Sequence, residues 1–170
     1  MSLLDTLAPL RAHGKARTSG LDDATLERFG ASHPQLADAV AAAASEYAAI
    51  KADFPELLDL DETAQAEAIQ AGFVNFYTQD TVNPYVALTA RGPWIVTLKG
   101  AVLYDTGGYG MLGFGHAPKD VLDAMARPQA MANIMTPNLA QLRFDRALRR
   151  EIGHARGGCP YASFMCLNSG

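Results

Sequence analysis

The sequence contains few of the residues that mark secreted, zinc-binding or membrane-spanning proteins. Only two of its 170 residues are cysteines, Cys159 and Cys166, and their spacing, with His154 nearby, matches no common zinc motif. No run approaches the roughly 18 apolar residues that span a bilayer. Asp5 interrupts the short apolar N-terminus, which also lacks the basic region of a signal peptide. We therefore expect two buried free thiols, no membrane contact and a reducing, cytoplasmic location.

Basic residues are scarce in the first half of the chain. Residues 1–90 carry thirteen acids and five bases, a net charge of −8, whereas residues 91–170 carry five acids and nine bases, a net charge of +4. The bases of the second half do not indicate nucleic-acid binding, because they are spread over helix faces without interleaved aromatics. We expect a solvated helix face to hold most of its arginines, namely Arg143, Arg146, Arg149 and Arg150.

The first ninety residues are predicted to be helical. Asp22 or Asp23 can cap a short helix that Gly30 ends. A longer helix is expected to open at Pro34 and a third to run from Asp61 to Ala71. Apolar residues recur every three or four positions along the second of these: Leu36, Val40, Ala43, Tyr47 and Ile50. We expect such stripes to pack against a partner surface and not to bind a ligand.

From Pro93 onwards the pattern changes to strands and glycine-rich turns. Two apolar runs, residues 94–98 and 101–104, flank Lys99-Gly100 and predict a β-hairpin. Asp105 follows as a turn-forming residue. The next segment, Gly107 to Gly115, has enough glycine for its backbone to pass close to a ligand or another chain.

Two helices and a strand are predicted after the glycine-rich segment. One helix is expected between Pro118 and Pro128, and the other from Thr136-Pro137 to Gly153. Residues 161–167 form a nearly all-apolar run, which suits a strand buried on both faces. The chain then reads Asn168-Ser169-Gly170. By itself this tripeptide is an ordinary turn, although a strand that ends in it and enters a helix can bind a phosphate.

The order of these motifs resembles that of the class III pyridoxal-phosphate-dependent aminotransferases. Three motifs carry the resemblance, over about half of the chain: Leu103-Tyr104-Asp105, Gly115-His116-Ala117-Pro118 and Asn168-Ser169-Gly170. The second motif is one residue shorter than the common form, the stretch before it is shortened, and the helical first ninety residues look longer than usual. These departures leave the subfamily and the substrate open.

The resemblance implies an α/β fold, the N-terminal part of a fold-type I transferase that uses pyridoxal 5'-phosphate. Residues 1–90 would be a helical N-terminal segment and residues 91–158 a small α+β segment with the hairpin and the glycine-rich stretch. Residues 159–170 would start the cofactor-binding large domain with its first strand. The family also implies a homodimer with active sites near the subunit boundary.

The implied reaction transfers an amino group from an amine or amino acid to a 2-oxo acid, so the partners would be small molecules and not nucleic acid. Ser169 and Gly170 would bind the cofactor phosphate, and Tyr109 would face the substrate, unless it is simply a core tyrosine. His116 could act as a base, but a capping or packing role is the expected one.

No catalytic residue is expected within these 170 residues. The reaction needs a lysine that forms a Schiff base with the cofactor. The family's lysine comes far downstream of the Asn-Ser-Gly motif, and none of the four lysines here matches it: Lys15, Lys51, Lys99 and Lys119.

Two other functions stay open from the sequence. One is an aminomutase or racemase that uses the same cofactor. The other is a non-catalytic helical interaction module, which fits the length of the chain and the missing lysine. Against the module, a buried strand at residues 161–167 would have neither paired edges nor a covering helix. We therefore expect the native chain to continue beyond Gly170.

Overall fold

The computed structural model describes residues 2–74, 77–78, 85–106, 113–130 and 135–167. These residues form two compact units, residues 1–122 and residues 123–170. The helices are α1 (Leu3–Arg11), α2 (Asp23–Gly30), α3 (Pro34–Asp53), α4 (Pro55–Leu58), α5 (Glu62–Gln70), α6 (Lys119–Ala126) and α7 (Leu139–Gly153). The strands are β1 (Ala87–Arg91), β2 (Trp94–Thr97) and β3 (Val102–Tyr104).

Three helices of the N-terminal region begin where the sequence predicts. Asp22 caps α2 by accepting the backbone N–H of Thr25 at 2.9 Å. Pro34 opens α3, where its missing N–H leaves no donor unpaired. Asp61 and Ala71 flank α5. These three helix predictions are confirmed.

The three strands form an antiparallel sheet in chain order, with β2 in the centre. β2 and β3 pair in the register Trp94 with Tyr104, which confirms the predicted hairpin. β1 begins within the segment expected to be helical, so that prediction is wrong for residues 87–90. Its two alanines have little intrinsic preference for a strand, and pairing with β2 stabilises the extended backbone instead.

The apolar stripe of α3 faces this sheet. α3 packs against β1, β2 and α1, and the hydroxyl of Thr89 in β1 donates to the carbonyl of Ala39 at 2.9 Å. The stripe therefore packs against the chain's own sheet and α1. The buried core consists of Leu7, Leu10, Leu26, Leu36, Ala39, Val40, Ala43, Tyr47, Leu58, Trp94, Val96, Leu98 and Val102.

Residues 123–170 are organised around α7. The helix begins at Leu139, later than Thr136-Pro137, because the Asn138 side chain accepts the N–H of Gln141 and forms a capping box. The sequence predicted the helix correctly but placed its start too early.

Arg149 joins α7 to the segment that follows it. Its guanidinium donates to the carbonyls of Tyr161 and Ala162 at 3.0 and 2.9 Å, pairs with Asp145 and lies 5.2 Å from the centre of the Phe164 ring. Arg149 is therefore bound to this segment, although 38% of its side-chain surface stays exposed. Arg143, Arg146 and Arg150 are exposed, as predicted.

The predicted buried strand at residues 161–167 is wrong. These residues are not part of a strand, and all but the half-buried Phe164 are exposed. No described strand lies beside them to satisfy their backbone, and Arg149 takes two of their carbonyls instead. The two thiols are free, as predicted. They are not buried, because Cys159 is half-buried and Cys166 is exposed.

We predict that Trp94→Ala lowers the free energy of unfolding by about 3–5 kcal/mol, the usual range when a large buried aromatic is truncated. Trp94 is 1% exposed and has the rings of Phe29, His33 and Tyr104 within 6 Å. Urea denaturation followed by circular dichroism measures the change. Phe73→Ala is the control, because Phe73 is 80% exposed and its loss should cost no more than about 0.5 kcal/mol. Equal effects would contradict this placement of the core.

Candidate functional site

A histidine and an aspartate pair at the end of β3. Nε2 of His116 lies 2.9 Å from Oδ2 of Asp105, and the two side chains are 23% and 20% exposed. The residues are eleven positions apart and flank the glycine-rich segment. The sequence suggested a separate structural role for each and missed their pairing. The signal available in the sequence was a pair of polar residues at the two ends of a glycine-rich segment.

The turn between β1 and β2 positions this pair. Gly92 and His116 exchange two backbone hydrogen bonds, at 2.9 and 2.7 Å, and Asp105 donates its N–H to the carbonyl of Pro93 at 2.7 Å. Gly115 has a φ of 74°, and a Cβ there would lie 2.9 Å from the backbone of Gly92. Glycine is therefore required at position 115 for both conformation and space.

The His116–Asp105 pair lines a cleft of about 280 Å³, together with Gln35, Gly92, Pro93, Thr106, Phe114 and Gly115. A carboxylate on one ring nitrogen fixes the orientation of an imidazole and leaves the other ring nitrogen able to bond a ligand. Within the described residues, Nδ1 of His116 makes no hydrogen bond. The arrangement can therefore orient a polar group.

The residues implied by the family resemblance lie outside the described part of the chain. This applies to the cofactor-binding Ser169 and Gly170 and to the substrate-binding Tyr109. Their roles stay predictions. Asp105 and His116 belong to two of the three motifs that carry the resemblance, and the structure brings these two motifs together.

A second polar constellation surrounds Lys99 at the other end of β2. Lys99 is only 4% exposed, although it lies in a hairpin turn, and its Nζ donates to the carbonyls of His13 and Leu58 at 2.7 and 2.9 Å. Burial lowers the pKa of its ammonium group, an effect that Asp61, Glu62 and Asp59 partly oppose. These bonds use Lys99 to join the turn to the helical layer.

Glu62 makes the matching connection from α5. Its Oε2 accepts the backbone N–H groups of Arg17 and Thr18, both at 2.6 Å, and the residue is 1% exposed. The Oδ1 of the neighbouring Asp61 accepts the N–H of Lys15 at 2.7 Å. These acids bind the loop between α1 and α2, so their role is to hold the chain together.

Among the described residues, no three or more histidines, cysteines, aspartates or glutamates are grouped so that they could hold a metal ion. In that same part of the chain, no helix has both the length and the apolar character needed to cross a membrane.

We predict that Lys99→Met lowers the free energy of unfolding by about 2–4 kcal/mol at neutral pH, because two carbonyls lose a charged donor. The folded chain holds the Lys99 proton less tightly than the unfolded chain does. Folding therefore carries a penalty below the lowered pKa, and this penalty is relieved as the pH rises towards the ordinary lysine value of about 10.4.

The stability advantage of the wild type over Lys99→Met should therefore increase with pH through the alkaline range. Urea denaturation of both proteins from pH 7 to pH 10 tests this. An advantage that shrinks with pH would mean that folding favours the charged form. Lys51→Met, which alters an exposed lysine, is the control.

Comparison with known proteins gives no match to any protein-family model, to any curated protein or to any solved structure.

Proposed function

We propose that this chain is the N-terminal part of a pyridoxal-phosphate-dependent enzyme of the class III aminotransferase type. The enzyme would transfer an amino group from an amine or amino acid to a 2-oxo acid. The proposal includes a fold-type I architecture, a homodimer and a cytoplasmic location. It depends on the three sequence motifs and on the way the first two are arranged.

The observation that carries the proposal is the contact between those two motifs. The Tyr-Asp motif ends β3, and its Asp105 accepts a hydrogen bond from the histidine of the Gly-His-Ala-Pro motif. The same histidine bonds through its backbone to Gly92 at the base of β2. Residues that are eleven positions apart thus form one local structure, as expected if the two motifs belong to one structural unit.

The proposal places the lysine that would hold the cofactor covalently outside this segment. Lys99 is buried and donates to two carbonyls, and neither Lys15 nor Lys51 lines the His116–Asp105 cleft. Lys119 opens α6. The residues expected at the cofactor phosphate, Ser169 and Gly170, lie outside the described part. No catalytic step is therefore assigned to this segment.

We predict that pyridoxal phosphate followed by borohydride gives no stoichiometric adduct at a single lysine of this chain. Exposed lysines such as Lys51 should react weakly and without selectivity, while the buried amine of Lys99 should be protected. Peptide mass spectrometry measures the labelling at each lysine. One lysine labelled to completion would show that the catalytic group lies within this segment after all.

We predict that Ser169→Leu, in the protein that joins this segment to its catalytic lysine, weakens cofactor binding at least about tenfold. A bulky side chain would crowd N–H groups that a phosphate needs, and losing one charge-assisted hydrogen bond costs about 1.5–3 kcal/mol. Tyr109→Ala should leave cofactor affinity nearly unchanged and lower turnover or shift amine preference, because a pocket wall orients the substrate.

Cofactor titration of the apoproteins, followed by rate measurements at saturating cofactor, separates the two roles. Ser45→Leu and Phe73→Ala are the controls, since both positions are exposed and lie far along the chain from the cofactor motif. If Tyr109→Ala loses cofactor as severely as Ser169→Leu, or if neither loses any, the assignment of these residues is wrong. If the wild type neither binds pyridoxal phosphate nor forms glutamate from 2-oxoglutarate, the proposed function fails.

A further inference from the structure

Three buried side-chain oxygens have no hydrogen-bond partner within the part of the chain that the structure describes. They are Oε1 of Glu62, Oε1 of Gln65 and Oγ1 of Thr18. Glu62 and Gln65 are 1% and 0% exposed, so bulk solvent does not reach them. Native proteins pair almost all such atoms, with other protein groups or with bound water, because a buried polar atom without a hydrogen bond is costly.

The remaining hydrogen bonds of these residues bring the three oxygens to one junction between α5 and the loop after α1. Oε2 of Glu62 accepts the backbone N–H of Thr18 at 2.6 Å, so the carboxylate lies beside the Thr18 side chain. Glu62 and Gln65 are three positions apart in α5 and therefore share one side of the helix. Nε2 of Gln65 donates to the carbonyl of Leu57 at 2.7 Å, which leaves Oε1 as the free end of this amide.

The charges around the junction favour a neutral ligand. Lys99 lies near enough to Glu62 for the two charges to interact, and it lines the same cleft as Thr18. The ammonium group of Lys99 would repel a second cation, and the carboxylate of Glu62 would repel an anion.

The hydrogen-bonding capacity of the three oxygens narrows the choice further. The carboxylate and amide oxygens can only accept, whereas the hydroxyl of Thr18 can also donate. A ligand that satisfies all three must therefore donate two hydrogen bonds and accept one. Water is neutral and has this capacity, and buried waters typically make about three hydrogen bonds to polar groups that lack other partners.

The junction lies wholly within the first compact unit, residues 1–122. Thr18 also belongs to the wall of a cleft of about 320 Å³, whose lining residues all come from the same unit. The cleft is much larger than the space that one water needs, so it offers water a route to the hydroxyl.

We propose that one water molecule binds at this junction. It donates to Oε1 of Glu62 and to Oε1 of Gln65, and it accepts the hydroxyl hydrogen of Thr18. The water thereby joins the loop after α1 to α5 next to the buried Lys99. This site does not depend on the enzymatic function proposed above.

The first test counts long-lived waters by ¹⁷O magnetic relaxation dispersion of the whole chain. The wild type should hold one more such water than the double variant Thr18→Val/Gln65→Met, which keeps only one of the three oxygens. Thr18→Ser, which retains a hydroxyl, should match the wild type. If the double variant does not fold, as judged by circular dichroism, Thr18→Val alone should give a smaller dispersion than Thr18→Ser. Equal dispersion in all these proteins would overturn the proposal.

The second test is a double-mutant cycle in urea denaturation. Thr18 and Gln65 share no hydrogen bond in the described structure, so coupling between them requires a common ligand. The second substitution should therefore change the unfolding equilibrium constant at least about threefold less in the variant that already carries the first. Additive effects would contradict the shared water. Thr63→Val and Gln70→Met, at exposed positions of the same helix, form the control pair and should be additive.

A third measurement distinguishes water from a metal ion at the same oxygens. Thermal unfolding is compared in sodium, potassium, magnesium and calcium chloride at constant ionic strength. The midpoint should not depend on the identity of the cation. A rise with one cation that disappears in Thr18→Val would show that a metal ion, and not water, binds at the junction, and the proposal would fail.

Discussion

The burial of the apolar stripe of α3 against β2 fixes the positions of two polar groups, the His116–Asp105 pair and Lys99. β2 is the central strand, so both of its edges are hydrogen bonded while α3 covers one face of it. Trp94 at its start packs against Phe29, His33 and Tyr104, with ring centres 5.0–5.8 Å apart. A strand held in this way has fixed ends. The His116–Asp105 cleft is built at one end, and the buried Lys99 lies just beyond the other.

The two ends of β2 differ in their electrostatics. At the start, an imidazole and a carboxylate remain about one fifth exposed and line a cleft, so solvent or a ligand can reach them. At the far end, the ammonium group of Lys99 is almost fully removed from water, and two carbonyls and nearby acids only partly offset its desolvation. The first arrangement keeps its polar groups within reach of solvent. In the second, the polar groups join helices to the sheet.

Local signals in the sequence predicted much of the fold but little of the site. Capping residues and the apolar period located α2, α3 and α5, because these features act within one or two helical turns. β1 was missed since its pairing with β2, and not its own composition, makes it extended. The strand prediction for residues 161–167 was wrong for the opposite reason, because an apolar segment does not form a strand without a neighbouring strand to pair with. The His116–Asp105 pair and the burial of Lys99 depend on tertiary contacts, which spacing alone does not encode.

The Lys99 contacts also bear on the order in which the chain folds. Its two hydrogen bonds join positions 86 and 41 residues apart, whereas the sheet is built from neighbouring strands with short connections. Closing long loops costs entropy before any contact compensates, so we expect the hairpin and α3 to assemble first. The ammonium group of Lys99 would then be desolvated only when the loop after α1 packs against it. Interactions that form after the transition state slow unfolding more than they speed folding. We therefore expect the hydrogen bonds of the buried ammonium group to form late in folding and to lower the unfolding rate of the chain.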